Sequence, residues 1–170
     1  MYITPNGSVT GSGVIIVGLI GVLNEGTLSP GITILTPPLA NALLPPAQTQ
    51  ASLATMNITG TLTISPTGRL EIPVVGNAVG EYGSLNVSGT AVLDGVLALQ
   101  FSQGYAPQQG DTFTLLVAEG NVTGTFDSVE ISGLMPGFEY EISIVDGQVV
   151  LEALNDGVPL YPLFLPLVLR

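Results

Sequence analysis

The stretch NITGTLTISPTGRLEIPV, Asn57 to Val74, alternates apolar and polar residues almost without interruption. Ile58, Leu62 and Ile64 share one face, and Thr59, Thr61, Thr63 and Ser65 share the other. Successive side chains of an extended chain point to opposite faces, so this is strand with one buried and one wet side. After the turn signal Ser65-Pro66-Thr67-Gly68, Leu70, Ile72 and Val74 oppose Arg69, Glu71 and Pro73. Pro73 has no N–H to give a neighbour, so its position must be bulged or unpaired. The same period returns where Tyr140, Ile142 and Ile144 alternate with Glu139, Glu141 and Ser143. Gly13–Leu23 (GVIIVGLIGVL) also reads as strand, because its β-branched residues and glycines disfavour a helix interior. It is too short to span a membrane as a helix, which takes about 20 residues.

Turn vocabulary recurs along the chain. Residues 24–31, 57–68, 86–95 and 121–129 each pass from Asn through Gly-Thr to an apolar residue. The Gly-Thr pairs begin at Gly26, Gly60, Gly89 and Gly124, at intervals of 34, 29 and 35 residues. Such a period is what solenoid coils give, each holding two or three short strands and their turns. The candidate turn residues are Gly26, Gly31, Gly60, Gly89, Asp94, Gly95, Pro107, Gly110, Asp111 and Gly124. Asp94-Gly95, Asp146-Gly147 and Asp156-Gly157 fit this role, since Gly supplies positive φ and Asp bonds nearby backbone. Residues 1–152 thus form one solenoid module with an irregular Pro-rich excursion at 36–56, where a short helical turn is expected within 47–54. Residues 153–170 form an apolar tail, in which Pro159, Tyr161, Pro162, Phe164 and Pro166 are candidate capping or assembly residues. Short alternating strands also fit an antiparallel sandwich over 80–152.

Composition points the same way. The chain of 170 residues is 46% hydrophobic and only 9% charged, against about a quarter charged in ordinary globular domains. A sphere needs charge to solvate its surface, whereas stacked repeats cover themselves with the Thr, Ser, Asn and Gly of their outward faces. The net charge of −11 repels phosphate backbones and excludes nucleic acid as a partner. With no Cys and no His, thiolate zinc sites, thiol nucleophiles and His-based triads are excluded, and no Lys remains for Schiff-base chemistry. Carboxylates, hydroxyls and Arg69 are left. The nearest acidic pairs in sequence, Glu139 with Glu141 and Asp127 with Glu130, read as outward or turn residues. No calcium loop of the nonapeptide or EF-hand type is present. The reading assigns no catalytic, cofactor-binding or metal-binding residue. The sequons at Asn6, Asn57, Asn86 and Asn121 read as turn Asn before strands, and as acceptors in a host that glycosylates Asn.

The segment Gly104–Phe126 (GYAPQQGDTFTLLVAEGNVTGTF) carries the most specific wording. Pro107 and Gly110 shape a turn, Phe113, Leu115 and Val117 are expected in the core, and Asp111 is expected to bond backbone N–H groups where the strand begins. Taken in order, Gly26–Gly31, Gly60–Ile64, Gly68–Val74, Leu85–Leu97 and Gly104–Phe126 resemble the C-terminal part of autotransporter-type passenger β-helices, over about residues 25–152. The resemblance implies a right-handed parallel β-helix of several coils, exported and displayed at a cell surface. Two departures follow. No outer-membrane barrel pattern succeeds these words, and the ending YPLFLPLVLR is similar to the YLPLVLR ends of exported Chloroflexota-type proteins. Met1–Gly13 lacks a basic segment and a following apolar core, so export is expected to be directed from outside this chain.

The expectation is an all-β parallel β-helix serving as a non-catalytic structural module of a cell-surface or extracellular protein. Its partners would be its own repeats or neighbouring subunits, with end-to-end assembly into filaments. The alternatives are an adhesin or glycan-binding surface, and a fragment of a polysaccharide-active enzyme.

Overall fold

The computed structural model describes residues 1–17, 21–33, 52–53 and 55–160. Among these residues there are strands and turns but no helix. The chain visits three sheets in rotation. The first circuit is β1 (Tyr2–Ile3), β2 (Ser8–Gly11) and β3 (Gly13–Ile16). The second lays down β4 (Val22–Asn24) and β5 (Thr27–Pro30), leaves through the antiparallel pair β6 (Ile32–Thr33) and β7 (Ser52–Leu53), and returns as β8 (Thr55–Thr59). The third is β9 (Leu62–Ile64), β10 (Arg69–Val74) and β11 (Ser84–Val87), and the fourth is β12 (Ala91–Leu93), β13 (Val96–Phe101) and β14 (Thr112–Ala118). The fifth adds β15 (Val122–Gly124) and β16 (Ser128–Ser132), then closes with the hairpin β17 (Tyr140–Val145) and β18 (Gln148–Ala153).

The first sheet therefore runs β1-β4-β9-β12-β15 and the second β2-β5-β10-β13-β16. Every pairing in both is parallel. The third sheet runs β3-β8-β11-β14 in parallel, then turns antiparallel through β18 and β17. This all-β arrangement with parallel sheets is compatible with a β-solenoid. Within 80–152 the antiparallel alternative holds only for the closing hairpin, since β11–β14, β12–β15 and β13–β16 pair in parallel.

The alternation predicted for 57–74 sets the inward residues correctly, for Ile58, Leu62, Ile64, Leu70, Ile72 and Val74 are all buried. It does not show that Asn57–Ser65 is two strands. Gly60, at φ 124°, breaks β8 from β9 and sends them to different sheets. Gly60, Gly89 and Gly120 then stack, the Gly89 amide bonding Gly60 O at 2.9 Å and the Gly120 amide bonding Gly89 O at 3.1 Å. A Cβ at Gly89 would sit 2.6 Å from the Gly60 oxygen, which explains a glycine at each level. Gly26 belongs to another corner, between Gly7 and Gly68, and Gly124 ends β15 opposite Leu93. Of the four Gly-Thr pairs only those at Gly60 and Gly89 are equivalent positions, because Gly26 lies at a different corner and Gly124 at the end of β15.

Most of the variation among the described loops falls at one corner, between the second and third sheets. Ser12 alone links β2 to β3, whereas 75–83, 102–111 and 133–139 fill the same passage in later circuits. Of the 36–56 excursion, Ser52–Leu53 is strand and not helix, Thr55 and Met56 already belong to β8 of the third sheet, and the rest of that expectation lies outside the described residues. Pro73 pairs with Gln100 of β13, but β5 reaches only Arg69 and Leu70. The Pro73 carbonyl accepts from the Gly83 N–H on the side that β5 has left, so no ladder donor is missed there.

The core is one column of inward side chains from all three sheets. Leu28, Leu70 and Leu97 follow one another in the second sheet, and Ile58, Val87 and Ala118 in the third. Removing each large aliphatic side chain from water contributes about 1.5–3 kcal/mol. One inward position differs from expectation. Leu116, not Val117, enters the core beside Phe113 and Leu115, because β14 slips register against β18 between Thr114 and Leu116. The extra residue of the bulge puts two successive leucines on the buried side and turns Val117 outward.

Candidate functional site

The long corner gathers a knot of polar and aromatic side chains. Asp111 sits at its centre, immediately before β14, with both carboxylate oxygens engaged. Oδ2 accepts from the Gln108 N–H at 2.8 Å and from the Tyr105 hydroxyl at 3.1 Å, and Oδ1 accepts from the Asn77 amide at 2.9 Å. The backbone of the same turn pairs with the end of β18, Gly110 N–H to Ala153 O at 2.8 Å and Ala153 N–H to Asp111 O at 2.9 Å. Asp111 therefore ties the loops of the third and fourth circuits together and anchors the closing hairpin. Burial first, and then the Asp111 charge and hydrogen bond, push the Tyr105 phenol well above its ordinary value. Tyr105 stays a neutral donor across the accessible pH range.

Around this knot the aromatic rings form a chain. Tyr82 meets Phe113 edge-on at 5.4 Å, and Phe113 meets Phe101 at 6.3 Å. Phe101 in turn contacts Tyr105 at 6.4 Å and Phe138 at 5.9 Å, and Phe138 stacks on Tyr140 at 5.9 Å. Such pairs add about 0.5–1.5 kcal/mol beyond area burial. Sequence reasoning did not find this cluster, because its members come from three corner loops and from β13, β14 and β17. What the cluster does chemically is hold loops of unequal length against one edge of the stack.

Pro107 is buried in the same corner, where its carbonyl accepts from Gly157 N–H at 2.8 Å. Pro159 forms an antiparallel bridge with Leu134. Tyr161, Pro162, Phe164 and Pro166 lie outside the described residues. Gly31 is buried where β5 ends and bonds Gly11 O at 2.7 Å. Gly26 and Gly95 share the corner between the first and second sheets, with Gly7 and Gly68. Gly60, Gly89 and Gly124 stand as described above.

The acidic pairs named from sequence do not pair in space. Glu130 instead bonds Arg69 at 2.8 Å across two circuits, and Arg69 also lies 3.7 Å from Glu71. The guanidinium holds the Glu130 carboxyl below the usual carboxylate range. Glu141 faces Glu152 across the closing hairpin. The contact that sequence missed joins Asp94 and Asp127. The Asp94 charge, then its hydrogen bond, raise the fully exposed Asp127 carboxyl above its ordinary value. The only sequence signal was positional, since both residues occupy the same corner in consecutive circuits.

Two recesses lie among the described residues. On the outer face of the third sheet, Asn57, Thr59, Asn86, Ser88, Val117 and Glu119 line a shallow groove of about 290 Å³, in which the Asn86 amide donates to Asn57 Oδ1 at 3.2 Å. Where the last circuit ends, an apolar recess of about 330 Å³ opens between β16 and β17. Among the described residues, no group of three or more His, Cys, Asp or Glu is placed to hold a metal ion, and no helix is long and apolar enough to cross a membrane.

With this geometry in view, comparison with known proteins assigns no relationship. No family model and no curated protein matches the chain.

Proposed function

We propose that this chain is a non-catalytic structural module, a right-handed parallel β-helix from an exported cell-surface or extracellular protein. The observation that carries the reading is the difference between its two ends. At one end β1, β2 and β3 stand together at the edges of their three sheets. Nearby, Tyr2, Val14 and Ile16 are 56%, 64% and 78% exposed. At the other end the third sheet reverses into the β17–β18 hairpin. Parallel edges offer unpaired N–H and C=O groups to a further strand, whereas a reversed hairpin stops propagation. A module of this kind adds length in one direction.

The right hand of the helix is supported by the strand-to-parallel-strand crossovers, which take that hand in about 98% of cases. A surface location is supported by the low content of charge, the absence of Cys, and the resemblance of Gly104–Phe126 to surface-displayed helices. Assembly through the β1–β3 edge is tested with the purified chain by light scattering and negative-stain microscopy. Concentration-dependent rods are expected, suppressed by lysines at Ser8 and Thr10 on β2; compact monomers at every concentration would count against it. Protease shaving of intact source cells tests the location: released peptides of this chain are expected, and their retention inside the cells would contradict export.

A glycan-binding role is a second reading, favoured by the polar groove of Asn57, Asn86, Ser88 and Glu119. Its test is a glycan array, with Asn86→Leu as the control that should lose any signal. The polysaccharide-active reading rests on Asp94 and Asp127 alone. Asp127 is fully exposed and Asp94 half-exposed with one oxygen held by the Gly95 N–H at 2.8 Å, so bulk water reaches the pair and nothing beside it orients a sugar.

A further inference from the structure

We infer that the Asp94–Gly95 link is a site of spontaneous isomerisation, at which the Gly95 nitrogen closes a succinimide on the Asp94 side chain and water reopens it as isoaspartate. A succinimide joins the nitrogen of one residue to the side-chain carboxyl carbon of the aspartate before it, and glycine, with no Cβ, hinders that closure least. The chain has Asp-Gly links at 94, 146 and 156, and their glycine nitrogens are held differently. Gly157 N–H is committed to Pro107 O at 2.8 Å. Asp146-Gly147 is the tight turn of the closing hairpin, with Asp146 at φ 50°, and among the described residues nothing holds Gly147 N to the Asp146 carboxyl. Gly95 N–H instead donates to Oδ1 of Asp94 itself at 2.8 Å. That bond keeps the nitrogen against the carboxyl group it attacks, with the atoms of the future ring already gathered. Gly95 is buried and set at φ 63°, while half-buried Asp94 stays within reach of water.

The next circuit supplies the proton this reaction needs. An ionised carboxylate has no leaving group, because its oxygen must depart as water. Asp127 is hydrogen-bonded to Asp94, and the Asp94 charge raises the Asp127 carboxyl so that it keeps its proton to higher pH. Asp127 gives that proton to the departing Asp94 oxygen. The Gly95 nitrogen bonds to Cγ, the Cγ–O bond breaks, and the oxygen leaves as water with one proton from Asp127 and one from Gly95 N. Water then adds to the ring. Opening at Cγ restores aspartate, opening at the main-chain carbonyl routes the backbone through the side chain, and on either path the released proton returns to the Asp127 carboxylate. The product does not fit its corner. Isoaspartate lengthens the main chain by a methylene just before Gly95, where a Cβ would already meet Gly68 O at 2.3 Å and Ser65 O at 2.5 Å. Val96 N–H to Gly68 O at 2.9 Å and Asp127 N–H to Gly95 O at 2.8 Å fasten this corner to the circuits on either side. Isomerisation therefore loosens the middle of the stack, whatever the role of the protein and wherever it resides.

The test is to age the intact chain for weeks at neutral pH, digest it, and locate isoaspartate by mass spectrometry with electron-transfer fragmentation, which separates the two isomers. Isoaspartate should accumulate at Asp94 several-fold faster than at Asp146 or Asp156. In concentrated urea the three rates should converge, because the fold and not the flanking sequence holds Gly95 N against Asp94. Asp127→Asn keeps a hydrogen-bond donor beside Asp94 but removes the acidic proton, and should slow the Asp94 reaction several-fold with an unchanged circular dichroism spectrum. Isoaspartate formed at Asp146 or Asp156 as fast as at Asp94 would overturn the inference, and so would a preference for Asp94 that survives in urea. An unchanged Asp94 rate in Asp127→Asn would overturn the part assigned to Asp127.

Discussion

Replacing Asn24 by Ala tests how one circuit is fastened to the next. Asn24 ends β4 with no solvent exposure, one of two buried polar residues among those described. Its amide donates to Arg69 O at 3.1 Å, one circuit away, and its Oδ1 accepts from Gly26 N–H at 3.2 Å. Alanine would leave a backbone donor and a backbone acceptor without these partners. Each unsatisfied buried group costs about 1–3 kcal/mol. Water can reach the partly buried Arg69 side of the site, which places the expected loss at about 2–4 kcal/mol. Asn24→Asp should do no better, because it keeps the acceptor for Gly26 but loses the donor to Arg69 and buries a charge. Urea unfolding followed by circular dichroism gives the comparison, read at constant m-value so that only stability has changed. A midpoint shift equivalent to less than about 0.5 kcal/mol, the range of ordinary surface substitutions, would refute the claim that this amide joins the circuits.

Two other perturbations follow from the same geometry. Leu97, fully buried between Leu70 and Val129, should lose about 2–5 kcal/mol on truncation to Ala, whereas Val92→Ala on the outer face should stay within about 0.5 kcal/mol; equal effects in thermal melts would contradict the assigned faces. Because the folded state raises the Asp127 carboxyl, it binds a proton more readily than the unfolded chain, so this contribution is present at low pH and is lost as pH rises through the carboxylate range. Asp94→Asn should remove that decline, and parallel melting-temperature profiles for variant and parent between acid and neutral pH would show the pair to be uncoupled.

The sequence was most legible where a strand has one buried and one wet face. In Arg69–Val74 period 2 alone names every inward aliphatic residue, because each alternate position must meet the core or water. It was less legible where geometry changes between neighbours. Gly60 looks like one more polar step in an alternating run, yet its positive φ moves the chain to another sheet. The leucines at 115 and 116 break the alternation, and only the antiparallel partner β18 explains why both are buried. Val14 and Ile16 lie in a run whose unbroken apolar character names no inward face, and they are exposed because they stand on the outward side of the edge strand β3. Sites made by stacking were illegible for a different reason. The Asp94–Asp127 contact and the aromatic chain depend on register between circuits whose loops differ in length, and no local pattern encodes that register. Asp111 was expected to bond backbone N–H groups, and it accepts from Gln108 N–H and the Tyr105 hydroxyl of its own loop, but its link to Asn77 needed the neighbouring circuit.

Stacking of successive circuits in parallel register underlies both the scaffold reading and the contrast between the two ends. Backbone NOE mapping of the isotopically labelled chain measures it most directly. The parallel columns Asn57–Asn86–Val117 and Thr63–Val92–Thr123 should appear as interstrand contacts between amide and Hα protons, while among the strands strong Hα–Hα contacts should be confined to the closing hairpin, its junction with β14 and the β6–β7 pair. Strong Hα–Hα contacts among strands between Thr55 and Ser132 would instead mean antiparallel pairing, and would contradict the account at its base.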